Sequence, residues 1–102
     1  MSIAEPAPAP AITTGGIVPG TIQPGEWVSI YGTNLASESA TWTGNFPTSL
    51  GGTSVTIDGK PAYLSFASYR QINLQAPSDN ATGVVPVVIT TSNGTTVKST
   101  VT

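Results

Sequence analysis

In the stretch QPGEWVSIYGTNL, Gln23 to Leu35, Val28 and Ile30 alternate with Trp27, Ser29 and Tyr31. This period of two predicts one β-strand, with the aliphatic pair facing the core and two large aromatics on the opposite face. The same period recurs downstream. In TSVTIDGKPAYLSF, Val55 and Ile57 precede Asp58-Gly59, and Ala62, Leu64 and Phe66 follow it. A D-G pair between alternating runs predicts a hairpin, because both residues tolerate the positive φ of a type I′ turn. RQINLQAP alternates Ile72, Leu74 and Ala76 with Gln71, Asn73 and Gln75. GVVPVVITT and TTVKSTVT flank Ser92-Asn93-Gly94, a second hairpin with an N-G turn. Pro86 inside the first of these runs predicts an edge strand or a bulge. AITTGGIVPG reads as a short strand kinked at Gly15-Gly16. Residues 36–50 carry no sustained period and read as a long connection. No apolar period of 3.6 survives for three turns, so about seven short strands with regular turn signals predict an all-β sandwich.

Length and composition narrow the classes of function. The chain has 102 residues, one domain's worth. Residues 1–10, with AEPAPAP, form an expected Pro/Ala-rich linker or terminal tail in extended polyproline II, and residues 11–102 form the module. There is no cysteine for a disulfide or thiolate site, and no histidine to act as general base or metal ligand. Charged residues make up 8% and the net charge is -2, so no basic patch exists to neutralise phosphates and nucleic acid is not an expected partner. No stretch is long and apolar enough to insert in a membrane as a helix. No basic-then-apolar leader opens the chain, and Met1-Ser2 is expected to be an added start on a piece of a longer protein. Low charge with abundant Ser, Thr and Gly suits an extracellular β-module.

The ordered phrases QPGEWVSIYGTNL, VTIDGKPAYLSFASYRQINLQAPSD and GVVPVVITTSNGTTV resemble the IPT/TIG group of immunoglobulin-like domains. The shared pattern is a strand ending in G-x-N-[LF], a G-x-x-A hairpin, Q-I-x-x-x-x-P and a final hairpin. A closer likeness is to IPT/TIG-like modules near the C-termini of large secreted proteins of soil bacteria, where P-G-x-x-V-S-I-x-G-x-N-L, L-P-T-S-L-G-G-x-x-V and Q-I-N-x-Q-x-P recur. FPTSLGGTSV departs from the middle phrase at its first position, Phe46. The resemblance spans about residues 12–101 and implies an immunoglobulin-like sandwich. It carries no shared catalytic residue.

Candidate chemistry is sparse. The acids are Glu5, Glu26, Glu38, Asp58 and Asp79, and no two have a spacing that suggests a glycosidase pair. With no histidine a Ser-His base is impossible, and no S-x-x-K motif is present. No catalytic residue, cofactor or metal is therefore expected, and the chain is not expected to be an enzyme. SDNATG offers Asp79 and Asn80 to a calcium ion, but a solvated turn after Pro77 accounts for the same residues. NAT and NGT match glycosylation sequons and read equally as turns. Lys60 or Lys98 with Glu26 as the acid would be the ingredients of an internal isopeptide bond, though its usual motifs are not evident.

The aromatics remain. In the fold the chain resembles, the Trp27 strand lies beside the Gln71–Gln75 strand, so Trp27, Ser29 and Tyr31 face outward next to Gln71, Asn73 and Gln75. Rings beside amides are the chemistry of sugar recognition, and Tyr63, Tyr69 and Trp42 would extend such a surface. The candidate glycan-binding residues are thus Trp27, Tyr31, Trp42, Tyr63, Gln71 and Asn73. The alternative is cover, in which the 36–50 connection folds back and lays Trp42, Phe46 and Leu50 over Trp27. The expected function is a non-catalytic accessory, spacer or interaction module of a secreted or surface multidomain bacterial protein. Its partners would be neighbouring domains of the same chain. The alternative is a carbohydrate-binding module attached to a polysaccharide-active enzyme.

Overall fold

The computed structural model describes residues 9–18, 20–36, 38–44, 47–78, 83–91 and 94–101. Ten strands follow one another: β1 (Ala11–Val18), β2 (Trp27–Thr33), β3 (Ala40–Thr41), β4 (Ser49–Leu50), β5 (Thr53–Ile57), β6 (Lys60–Pro61), β7 (Tyr63–Ala67), β8 (Gln71–Gln75), β9 (Val84–Thr91) and β10 (Gly94–Val101). The seven that are five residues or longer are those the alternating pattern predicts. They form two antiparallel sheets, ordered β1-β2-β8-β7-β3 and β10-β9-β5-β4, with β6 hydrogen-bonded to β5. The architecture is an all-β immunoglobulin-like sandwich.

The core is the inner face of each alternation. Val28 and Ile30 of β2, Val55 and Ile57 of β5, Leu64 and Ala67 of β7, Ile72 and Leu74 of β8, and Val85, Val87 and Ile89 of β9 are all buried. Ile22, Leu35, Ala36, Ala62 and Ala76 join them from the connections. Among the described residues, none that is buried is aromatic. β1 pairs with β2 through a register shift between Ile12 and Ile17, which is the kink that Gly15-Gly16 predicts.

The G-T-N-L phrase at the end of β2 has a packing reason for each of three positions. A Cβ on Gly32 would stand 2.0 Å from the Ala11 carbonyl oxygen, so only glycine lets β1 approach there. Asn34 turns the chain with a φ of 56°, in the left-handed region that asparagine tolerates. Leu35 is then driven fully into the core. Its N–H donates to the Tyr69 carbonyl at 2.9 Å, and its carbonyl accepts from the buried Thr53 hydroxyl at 2.6 Å.

Four local expectations need correction. Residues 36–50 are not a featureless connection, since β3 pairs Ala40 with Ala67, and β4 pairs Leu50 with Thr53 around Gly51-Gly52. Two-residue strands are too short to leave a period. The Asp58-Gly59 turn forms, with φ of 53° and 75°, but its hairpin ends after the two β5–β6 pairs. The chain then crosses to the other sheet as β7, where a bulge between Leu64 and Phe66 leaves Phe66 half-buried and puts Ala67 in the core. Pro86 lies in an inner strand, paired on both sides by β5 and β10. It is tolerated because its carbonyl, accepting from Asp58 N–H at 2.9 Å, points at the place where β5 ends, so no donor is needed on that side. Finally, Thr91 pairs with Gly94, so Gly94 opens β10 instead of sitting in the turn. Ser92 and Asn93 lie outside the described residues, as do Phe46, Asp79, Asn80 and residues 1–8.

Candidate functional site

The outer face of β2, β8 and β7 is built by register. β2 and β8 match Trp27 with Gln75, Ser29 with Asn73 and Tyr31 with Gln71. β8 and β7 match Gln75 with Tyr63 and Asn73 with Phe66. One row across the sheet therefore reads Trp27–Gln75–Tyr63, the next Ser29–Asn73–Phe66, and the last Tyr31–Gln71. Because the inner face of these strands is aliphatic, every side chain in the rows points away from the core.

The rings on this face are open. Trp27 is 52% exposed, Tyr31 42% and Tyr63 40%. Trp42, immediately after β3, donates its backbone N–H to the Ser65 carbonyl at 3.0 Å. This places its backbone three strand positions from β2, roughly 14 Å at the usual strand spacing. Its indole nevertheless meets Trp27 edge to face, with centroids 5.7 Å apart and planes at 89°, so the two side chains together bridge the outer face of β7 and β8. The two sequence readings thus resolve into a mixture. Trp42 supplies a wall against Trp27, while half of Trp27 remains open. Leu50 is no part of the cover, since it packs against the core.

The amides between the rings are held in place. Asn73 Oδ1 accepts from Ser29 Oγ at 3.0 Å and from Gln71 Nε2 at 2.9 Å. Ser65 Oγ donates to the Asn73 carbonyl at 3.2 Å, and Gln75 Nε2 donates to the Gly25 carbonyl at 3.1 Å. With these bonds made, Asn73 Nδ2, Gln71 Oε1 and Gln75 Oε1 have no hydrogen-bond partner among the described residues. They are half-buried polar groups whose unmet bonds point at solvent or a ligand. The register thus brings Trp27, Tyr31, Tyr63, Gln71 and Asn73 together, with Trp42 added from the connection. Tyr63 also lines a cleft of about 370 Å³ with Thr48, Lys60, Pro61, Pro77 and Ser78. The sequence reading did not find this cleft, because its walls come from three separate segments. Tyr69 is exposed beside Arg70, whose guanidinium carbon lies 5.6 Å from the ring centroid, a cation–π contact.

Among the described residues, no three of His, Cys, Asp and Glu converge on one point. The Glu26 carboxylate accepts the Gln23 N–H at 2.7 Å and closes the turn before β2. Lys60 is exposed on β6, with its Nζ 3.5 Å from the Ser78 carbonyl oxygen, and is not placed for a buried isopeptide bond.

Two antiparallel sheets around an aliphatic core, with aromatics and amides displayed on one outer face, define an immunoglobulin-like module. The chain belongs to the IPT/TIG family, whose domain model matches residues 13–102. Domains of this family are generally non-catalytic immunoglobulin-like modules that mediate interactions within multidomain proteins. Comparison with proteins of curated function found no match.

Proposed function

We propose that this chain is a non-catalytic spacer and interaction module of a secreted or surface multidomain bacterial protein. The path of the chain through the sandwich carries the reading. Ala9 lies against Gly94 at the start of β10, where a Cβ on Gly94 would stand 3.2 Å from the Ala9 Cβ. β10 then runs eight residues to Val101, about 24 Å away. The chain enters at one pole and leaves at the other, so neighbours on either side are held apart by the length of the module. The Pro/Ala-rich composition of residues 1–10 supports a linker ahead of the folded unit of residues 11–102. Low charge and abundant hydroxyls support an extracellular setting. Small-angle scattering on two copies joined in tandem tests the spacer: an end-to-end particle is expected, and two modules packed side by side would overturn it.

A second reading has its own observation. Among the described residues, the four most exposed rings are Trp27, Tyr69, Tyr31 and Tyr63, and no buried core residue is aromatic. Large rings contribute most to stability when buried, so their display marks a surface for a partner. On this reading the β2–β8–β7 face binds a polysaccharide through Trp27, Tyr31, Trp42, Tyr63, Gln71 and Asn73. Affinity electrophoresis through soluble polysaccharides, with the natural chain and Trp27→Ala, tests it. Retardation lost in the variant is expected, and no retardation in any plant or microbial polymer would rule it out.

A further inference from the structure

Resting on the glycan reading, we infer that the ligand is a neutral, linear, β-linked polysaccharide lying along β2. The direction follows from the platforms. Trp27 and Tyr31 are four residues apart on one face of β2, about 13 Å along the strand axis. Between them the floor is low and polar, formed by Ser29 and Asn73 tied at 3.0 Å. A ligand that uses both rings spans that gap in a straight line. A flat ribbon of equatorially substituted pyranoses does so and offers axial C–H faces to each ring. A coiled α-linked chain curves away from one platform as it meets the other.

The polar groups select the same class. Asn73 is clamped by two donors on Oδ1, so its Nδ2 is held outward as a fixed donor, with Gln71 Oε1 as a fixed acceptor beside it. Secondary hydroxyls donate and accept at once and satisfy both. The matched rows carry no charged side chain: Glu26 precedes β2, Arg70 precedes β8, and Lys60 lies on β6. An ionised sugar would gain no ion pair on this floor, so the neutral polymer is the complementary one. Trp42, standing at 89° to Trp27, walls one side of the platform, so the ribbon follows the strand direction.

The test is a length series of β-1,4-linked gluco-, manno- and xylo-oligosaccharides, from disaccharide to hexasaccharide. Binding is followed by the fluorescence of the chain's two tryptophans, both of which are in the site. Affinity is expected to rise by about tenfold (roughly 1.4 kcal/mol) until the chain reaches both rings, and then to level off. Tyr31→Ala is expected to bind every length as the natural chain binds the disaccharide. Asn73→Leu is expected to lower affinity at all lengths, and α-1,4-glucan and polyuronate are expected not to bind. A flat length series, an unchanged Tyr31→Ala, or equal binding of α-linked or uronate chains would overturn the inference while leaving the glycan reading standing. No binding to any saccharide would overturn both. Self-association lost on Tyr31→Ala would assign the face to a protein contact and would likewise overturn the inference.

Discussion

Replacing Trp42 by alanine removes the ring that stands edge to face against Trp27, and the structure allows its cost to be worked out. Trp27 is 52% exposed, so it hides about half its surface. For an indole that is on the order of 100 Å², or roughly 2.5 kcal/mol at ~25 cal/mol per Å². The edge-to-face contact with Trp42 adds about 0.5–1.5 kcal/mol beyond simple burial. Against a net stability of roughly 5–15 kcal/mol for a small domain, each single alanine variant should cost about 2 kcal/mol. The double variant should then cost about 1 kcal/mol less than the sum, since the shared contact is lost only once. Urea unfolding followed by far-UV circular dichroism measures all three, because fluorescence is lost in the double variant. In Trp42→Ala the remaining indole should also become more accessible to acrylamide quenching. If the two substitutions add to within about 0.3 kcal/mol, the rings do not meet in solution and the wall against Trp27 does not exist.

Other substitutions test the frame that positions the face. Thr53→Val keeps the shape but leaves the buried Leu35 carbonyl without its 2.6 Å hydrogen bond, and should cost about 1–3 kcal/mol in chemical denaturation, whereas Thr53→Ser should cost less. Gly32→Ala forces a Cβ to within 2.0 Å of the Ala11 carbonyl oxygen, and should cost about 3 kcal/mol and speed hydrogen exchange at Ile12 as β1 separates from β2. At Asn34, with its φ of 56°, glycine should be neutral and valine should lower stability by about 1–2 kcal/mol, read from thermal midpoints.

How far the site was legible in sequence depends on which kind of geometry places each residue. Trp27 and Tyr31 could be assigned to the outer face because Val28 and Ile30 leave a strand no other way to turn. Gln71, Asn73 and Gln75 followed by the same rule from Ile72 and Leu74. Phe66 broke the rule, because a bulge inserts one residue into the period and only the pairing with β8 reveals it. Trp42 had no rule at all. Its backbone is fixed by a hydrogen bond to Ser65, and its ring by Trp27, residues far from it in the chain. Gly51-Gly52 between Leu50 and Thr53 is a two-residue hairpin signal, but β4 is too short to set an alternating run beside it.

Alone, the sequence determined the class of fold, the aliphatic core and the outward display of the β2 and β8 side chains, since strand periodicity and turn chemistry are local properties. Tertiary structure decided what depends on strand order and long-range register. It set which sheet β7 joins, why Pro86 is admitted to an inner strand, and that the chain passes from pole to pole. It also decided that Trp42 meets Trp27 from the far side of the sheet and leaves half of it open. These follow from hydrogen bonds and ring contacts between distant segments, which the local pattern of apolar and polar residues does not encode.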